Sequence, residues 1–248
     1  DKILRGFDED LRQFLQDRYA DRGIRIHDKT TIASVKKAAN QLTVTCENGT
    51  VITTEKVIQA VGRVPCTDSL NCDEVGIQTT QNGAIIINEQ YQTSVPSIFA
   101  LGDCIDQVQL TPVAIAQARE WVDLVLVNKK FPVDYTLIPT AVFSHPEAAT
   151  IGKTEAEAKA TLKNVSVKTL KFNPMTMALT EQHKEPIFMK LILEGDDEKV
   201  VGIHLSCDGA AEIIQSLAIA MQKGITKDDL DLTMALHPSI MEELVTIY

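Results

Sequence analysis

Residues 97–119, SIFALGDCIDQVQLTPVAIAQAR, constrain this chain more than any other stretch. Residues 97–101 are apolar and β-prone and predict a short buried strand. Gly102 lets the backbone turn tightly with no Cβ in the way. Asp103 then stands at the carboxyl end of the strand, where ligands of open α/β sheets sit. Thr111-Pro112 predicts a helix start, with the threonine as N-cap and the proline pre-shaped for the first turn. The free N–H groups and positive dipole end of that helix would face whatever Asp103 holds. Such a site suits an electron-rich, hydroxylated ligand. Read alone, the same run is also an ordinary strand–turn–helix with a capping threonine.

The 248 residues suffice for two or three substantial cores. A net charge of −10 argues against a nucleic-acid or anionic-membrane partner. No apolar run approaches the roughly 20 residues that span a bilayer. Five cysteines, an odd number without CxxC or CxxxxC spacing, argue against a disulfide framework and for a reducing compartment. No metal site is expected.

Along the chain, Asp8 predicts the cap of a helix whose apolar positions are Leu11, Phe14, Leu15 and Tyr19. Residues 23–26 predict a strand after a helix-closing glycine. Residues 42–46 alternate, and Asn48-Gly49 predicts a hairpin with its return strand from Thr50. Residues 56–61 predict a strand ending in Gly62-Arg63-Val64-Pro65. Residues 65–88 are rich in turns at Gly76 and Asn82-Gly83, and 84–87 predict a short strand. Residues 129–134, with Pro132, read as a linker. Beyond it lies an α+β pattern. It has strands at 140–144, 165–172, 187–193 and 199–205. Thr154 and Glu157 form a capping box that opens a helix through Leu162. A helix over 210–223 is closed by Gly224.

The chain closes on HPSIMEELVT, residues 237–246. His237 precedes a proline and is pushed towards an extended conformation at a helix start. Pro238 can begin that helix, with Glu242 and Glu243 near its positive end. A carboxylate reaching back would orient the imidazole, as a general acid–base near neutral pH requires. Read alone, this is also a capping histidine on an acidic helix.

Together these segments resemble the C-terminal half of the flavin-dependent pyridine nucleotide–disulfide oxidoreductases, and within them the branch that reduces glutathione disulfide. The resemblance rests on Gly102-Asp103, the helix start from Leu110 to Ala114, LRGFD at 4–8, AVGRVP at 60–65, FNPM at 172–175 and HPSIMEELVT at 237–246. It implies FAD and NADPH as cofactors, glutathione disulfide as substrate and a homodimer. By the resemblance, Asp103 bonds the ribityl chain of FAD, and the amide end of the helix at Leu110 and Thr111 faces the flavin pyrimidine ring. Ala141 joins that cofactor site. Arg5 is implied to bond the 2′-phosphate of NADPH with its planar charged fork. Gly62 would let the nicotinamide nucleotide pass close to backbone, with Arg63 in contact. Arg119 would bind a substrate carboxylate, and Met175 and Glu243 would line the substrate site. His237, oriented by Glu242, would protonate the departing glutathione thiolate in the active site of the twin subunit. Asn173 and Ile240 depart from the family pattern, which has threonine at the first position and usually a small residue at the second. Read alone, Arg5 is a solvated surface side chain and Arg119 a helix-surface arginine paired with an acid.

The GxGxxG and CxxxxC motifs that open a complete family member do not occur in this sequence. The chain is therefore expected to be a partial one, inactive alone. Its fold class is expected to be α/β followed by α+β. Residues 1–64 would end the NADPH-binding domain, 65–135 would be the C-terminal part of the FAD-binding domain, and 136–248 an α+β dimer-interface domain. The alternatives are another flavin disulfide reductase, such as a dihydrolipoamide dehydrogenase or mercuric reductase, and a non-catalytic dimerisation module. The expected location is cytoplasmic, with an organelle stroma or matrix as the alternative.

Overall fold

The computed structural model describes residues 2–129, 134–178 and 185–248. The expected linker at 129–134 falls mostly on 130–133, outside the described residues. The chain is mixed α/β and divides into two compact units, one from Asp1–Glu55 with Thr136–Tyr248 and one from Lys56–Tyr135.

The first unit opens with helix α1 (Glu9–Asp21). Asp8 caps it as expected, accepting the Asp10 N–H at 3.1 Å, and Glu9 and Asp10 sit at its positive end. Leu11, Phe14 and Leu15 are buried along one stripe. Strands β1 (Ile32–Ala38), β2 (Gln41–Cys46) and β3 (Val51–Thr54) form an antiparallel sheet in that order. The hairpin turn is built as its residues require: Gly49 has φ +85°, and the Asn48 Oδ1 accepts the Thr50 N–H at 3.0 Å. Residues 23–26 form no strand; the strand lies further on, at β1. Almost every residue of β1 is exposed, so no apolar alternation marks it.

The second unit is mostly irregular, with helices α2 (Cys72–Val75) and α3 (Thr111–Val122). None of the strands expected at 56–61, 84–87 and 97–101 forms. Single bridges, Thr79 to Ile85 and Gln92 to Phe99, stand in the places of the last two. The chain there is extended, but a strand needs a neighbour to satisfy its backbone, and propensity alone does not supply one. Ile77, Ile85, Tyr91, Ala100 and Ile105 make the core of this unit, and Phe99 meets Trp121 edge-on at 5.4 Å.

The rest of the first unit is a five-stranded antiparallel sheet. Its strands are β4 (Thr140–Val142), β5 (Ala148–Gly152), β6 (Val165–Phe172), β7 (Ile187–Glu194) and β8 (Lys199–Ser206), in the order β4-β5-β8-β7-β6. Helix α4 (Glu155–Thr161) carries the expected capping box, and helix α5 (Ala210–Met221) is followed by Gly224 at φ +71°. Short helices α6 (Lys227–Asp231) and α7 (Glu242–Val245) finish the chain. β5 is short and built largely of small residues, so no apolar periodicity marks it in the sequence. Its Gly152 pairs with Gly202 of β8, where a Cβ on Gly202 would lie 2.1 Å from the Lys153 carbonyl oxygen. Only glycine permits that approach.

β7 is buried on both faces, as its near-continuous apolar run requires. Ile187, Met189, Leu191 and Leu193 pack with Ile203 and Leu205 of β8 and Ile214 and Met221 of α5. The alternate residue Phe188 packs with Leu11, Phe14 and Leu15 of α1. Lys190 stands on that same second face, 1% exposed. No helix among the described residues is long and apolar enough to cross a membrane.

Candidate active site

The C-terminal residues gather at an open groove of about 470 Å³. Its walls are Phe172, Asn173, Pro174 and Met175, at the end of β6, and Pro238, Ser239, Ile240, Glu242 and Glu243. The volume is in the range of small-molecule sites. Met175, Glu242 and Glu243, expected from sequence to serve one site, thus line one surface. Both departures from the family pattern, Asn173 and Ile240, line it too.

The His237 imidazole extends from the same segment. Its Nδ1 lies 2.9 Å from Oε2 of Glu242 and 3.1 Å from Oε1. A carboxylate only accepts, so Nδ1 carries the hydrogen and Nε2 is left for other work. The His237 side chain is 67% exposed, whereas that of Glu242 is 17% exposed. A held carboxylate thus aims a solvent-facing imidazole. The helix begins at Glu242 rather than at Pro238, with Met241 at the cap position, and the Ser239 hydroxyl accepts the Glu242 N–H at 3.2 Å.

In the second unit, Gly102–Ile105 is a tight 3-10 turn that packs on α3. Gly102 has φ +73°, and a Cβ there would press to 3.2 Å from Ala114 Cβ in the helix. Asp103 projects from this turn and is exposed. Helix α3 starts one residue earlier than a Thr111 cap would require. Leu110, extended at φ −130°, holds the cap position, and no side chain caps the end. The Leu110 carbonyl accepts the Val113 and Ala114 N–H groups at 3.0 and 3.1 Å. Thr111 is exposed, and no capping side chain stands between a ligand and the positive helix end. An exposed carboxylate beside an uncapped helix start fits a group with hydroxyls on one side and developing negative charge on the other, as a flavin has.

Gln117 was missed by sequence reasoning. It is fully buried on the α3 face that buries Val113, four residues before it. Its Oε1 accepts the Gly102 N–H at 2.6 Å, and its Nε2 donates to the Tyr135 hydroxyl at 2.6 Å and to Gln107 Oε1 at 3.1 Å. A polar residue at the i+4 position of a buried stripe is the signal that could have found it.

Arg5, Gly62, Arg63 and Arg119 are all exposed; Arg5 is not among the described lining of the groove, and the other three belong to the second unit. Arg5 sits in a turn between Leu4 at φ +54° and Gly6 at φ +91°. Gly62, at φ +124°, has open space where a Cβ would stand. Arg119 lies in the last turn of α3, and Ala141 pairs with Ala149 across β4 and β5.

All five cysteines are free. Burial pushes the Cys207 thiol up to about 12, with Asp208 and Glu147 adding to it. Burial also raises Cys104. Both are protonated at neutral pH and poor nucleophiles.

Comparison with known proteins finds the pyridine nucleotide-disulphide oxidoreductase family over residues 1–118 and its dimerisation domain over 138–248. A glutathione reductase from a Nostoc species is 39% identical, covering 100% of this chain and 57% of the relative. One from Yarrowia lipolytica is 41% identical, covering 99% and 54%. The chloroplastic/mitochondrial glutathione reductase of Pisum sativum is 38% identical, covering 99% and 45%. The HOCl-induced flavoprotein disulfide reductase RclA from Escherichia coli shares the fold, with a TM-score of 0.87 at 24% identity over 98% of this chain and 56% of that one. The chain thus spans about half the length of the relatives it matches.

Proposed function

The chain belongs to the pyridine nucleotide-disulphide oxidoreductases, and from that premise we propose that it is the C-terminal part of an NADPH- and FAD-dependent enzyme that reduces glutathione disulfide. The observation that carries this reading is the His237–Glu242 hydrogen bond beside a groove walled by Met175 and Glu243. In the reaction the disulfide takes up two electrons and two protons and leaves as two thiols. The bound nicotinamide and flavin supply the electron pair. The cysteine pair that relays it to the substrate is not in this sequence.

The role of His237 is to hold a proton for the departing thiolate. Glu242 fixes the imidazole with Nδ1–H inward, so proton exchange takes place at Nε2. Glu243 and Met175 line the space for the tripeptide, and Arg119 binds one of its carboxylates. Asp103, Leu110, Thr111 and Ala141 belong to the FAD site. Arg5, Gly62 and Arg63 belong to the NADPH site, with the Arg5 fork on the 2′-phosphate. Residues 1–64 would then complete an NADPH domain, 65–135 an FAD domain and 136–248 the interface of a homodimer in which His237 serves the twin subunit. The five free thiols suit a reducing compartment such as the cytoplasm.

The test is NADPH-driven reduction of glutathione disulfide by the intact polypeptide that carries this sequence, with dihydrolipoamide-type and mercuric substrates in parallel. Preference for glutathione disulfide supports the reading. Turnover of only the other substrates would replace it with the corresponding relative.

A further inference from the structure

We infer that Gln117 is the positioning residue for Asp103, and through it for the flavin site. This rests on the flavin reading given above. Among the described residues no side chain bonds the Asp103 carboxylate, so the turn from which it projects sets its direction. That turn begins at Gly102, whose N–H belongs to the Leu101–Gly102 peptide, one peptide removed from Asp103. An N–H can only donate, so the amide oxygen of Gln117 must face it, at 2.6 Å. The Nε2 hydrogens are then directed to Tyr135 and Gln107, and both find acceptors.

The side chain is thereby locked at both ends while having no exposed surface. It joins four pieces of the second unit: the segment entering the turn, helix α3, the loop after the turn through Gln107, and Tyr135. A buried amide with every hydrogen committed is costly to disturb, because removing the acceptor leaves the Gly102 N–H unsatisfied. The turn then loses the bond that orients the Leu101–Gly102 peptide, and the Asp103 carboxylate loses its aim. Ala114 against Gly102 sets how near the turn lies to the helix. Gln117 sets how it is rotated.

The experiment compares FAD affinity in the intact polypeptide for the parent, Gln117→Met, Gln117→Glu and Asp103→Asn. Apoprotein is titrated with FAD and followed by flavin fluorescence and visible circular dichroism. Gln117→Met is expected to bind FAD about tenfold more weakly and to alter the visible dichroism of the bound flavin. Gln117→Glu, kept protonated by so buried a site, holds one oxygen towards Gly102 and donates its O–H to one of the two former Nε2 partners, and is expected to bind within about threefold of the parent. If Asp103→Asn binds like the parent, the flavin assignment falls and this inference with it. If Asp103→Asn weakens binding while Gln117→Met stays within about twofold, only the inference about Gln117 is overturned. Equal loss in the methionine and glutamate variants would also overturn it, because loss of packing rather than of the acceptor would then be the cause. Gln117→Asn, too short to reach Gly102, takes the place of the methionine variant if that one does not fold.

Discussion

Nδ1 of His237 lies 2.9 Å from Oε2 of Glu242, and the imidazole is exposed while the carboxylate is largely covered. The better-covered carboxylate is therefore the partner that sets the direction of the exposed imidazole. Glu242→Ala should leave His237 present but unaimed. We expect kcat for glutathione disulfide to fall by about tenfold or more, a part of the usual general acid–base contribution. Reduction of a one-electron dye by NADPH, which requires no proton transfer to a thiolate, should be unchanged. Steady-state kinetics with the two acceptors checks this, and equal losses on both would reject it.

Arg5 is exposed in a turn of two positive-φ residues, well placed to meet a charged ligand. Replacing it with leucine should raise KM for NADPH about tenfold, the scale of one charge-assisted hydrogen bond. KM for NADH, which lacks the 2′-phosphate, should not change. Parallel kinetics with both nucleotides decides the matter; a loss shared by both would remove Arg5 from phosphate recognition.

The Lys190 ammonium is nearly sealed from solvent and meets Asp8 at 2.8 Å, Asp10 at 2.6 Å and Glu155 at 2.7 Å. Asp8 also accepts the Glu155 N–H at 3.0 Å, so one carboxylate serves the starts of both α1 and α4. Lys190→Ala should destabilise the fold by roughly 3–5 kcal/mol, since it strands buried carboxylate charge. Burial pushes the Asp8 carboxyl up, but the Lys190 ammonium and the Glu155 amide outweigh it and hold it below its ordinary 3.8. Its stabilisation is then present above pH 3.8 and is lost as pH falls through the lowered value. Burial pulls Lys190 down, but its three carboxylates hold it above its ordinary 10.5, so its contribution persists through neutral pH and is lost only at strong alkali. Urea unfolding between neutral pH and pH 3 should show an acid loss that Asp8→Asn flattens; an unchanged slope would contradict it.

His204 faces Lys190 across β7 and β8 and is completely buried. Its Nε2 donates to the Lys153 carbonyl at 3.1 Å, so its Nδ1 accepts from the Thr150 hydroxyl at 2.6 Å. This arrangement needs the neutral ring. Burial accordingly depresses the imidazole below its ordinary 6.5, and nearby Asp8 does not reverse it. A depressed base stabilises the fold above pH 6.5, and that contribution drains away as pH falls below it. Thermal melts between pH 7.5 and 5 should show Tm falling over this range. A His204→Gln variant should lose the dependence; a parent with flat Tm would refute it.

Much of the local structure was legible because its causes are local. The Asp8 cap, the Thr154–Glu157 box, the Asn48-Gly49 turn and the near-continuous apolar run of β7 each depend on residues within a few positions. The histidine–carboxylate pair was legible for the same reason, its members standing five positions apart. Residues 97–101 misled because an apolar, β-prone run reports willingness to pair and says nothing of a partner. β1 was invisible for the opposite reason, since it buries almost nothing and pairs all the same.

By itself, the sequence determined the caps, turns, helix stripes and the family's short motifs, since backbone dihedrals and nearest-neighbour hydrogen bonds are settled within a turn or two of chain. Only the tertiary structure decided that a lysine belongs inside a sheet, that residues 172–175 and 238–243 share one groove, and that Gln117 orients the turn before Asp103. Those outcomes depend on which distant groups arrive to satisfy a buried charge or an unpaired amide, and no local pattern carries that information.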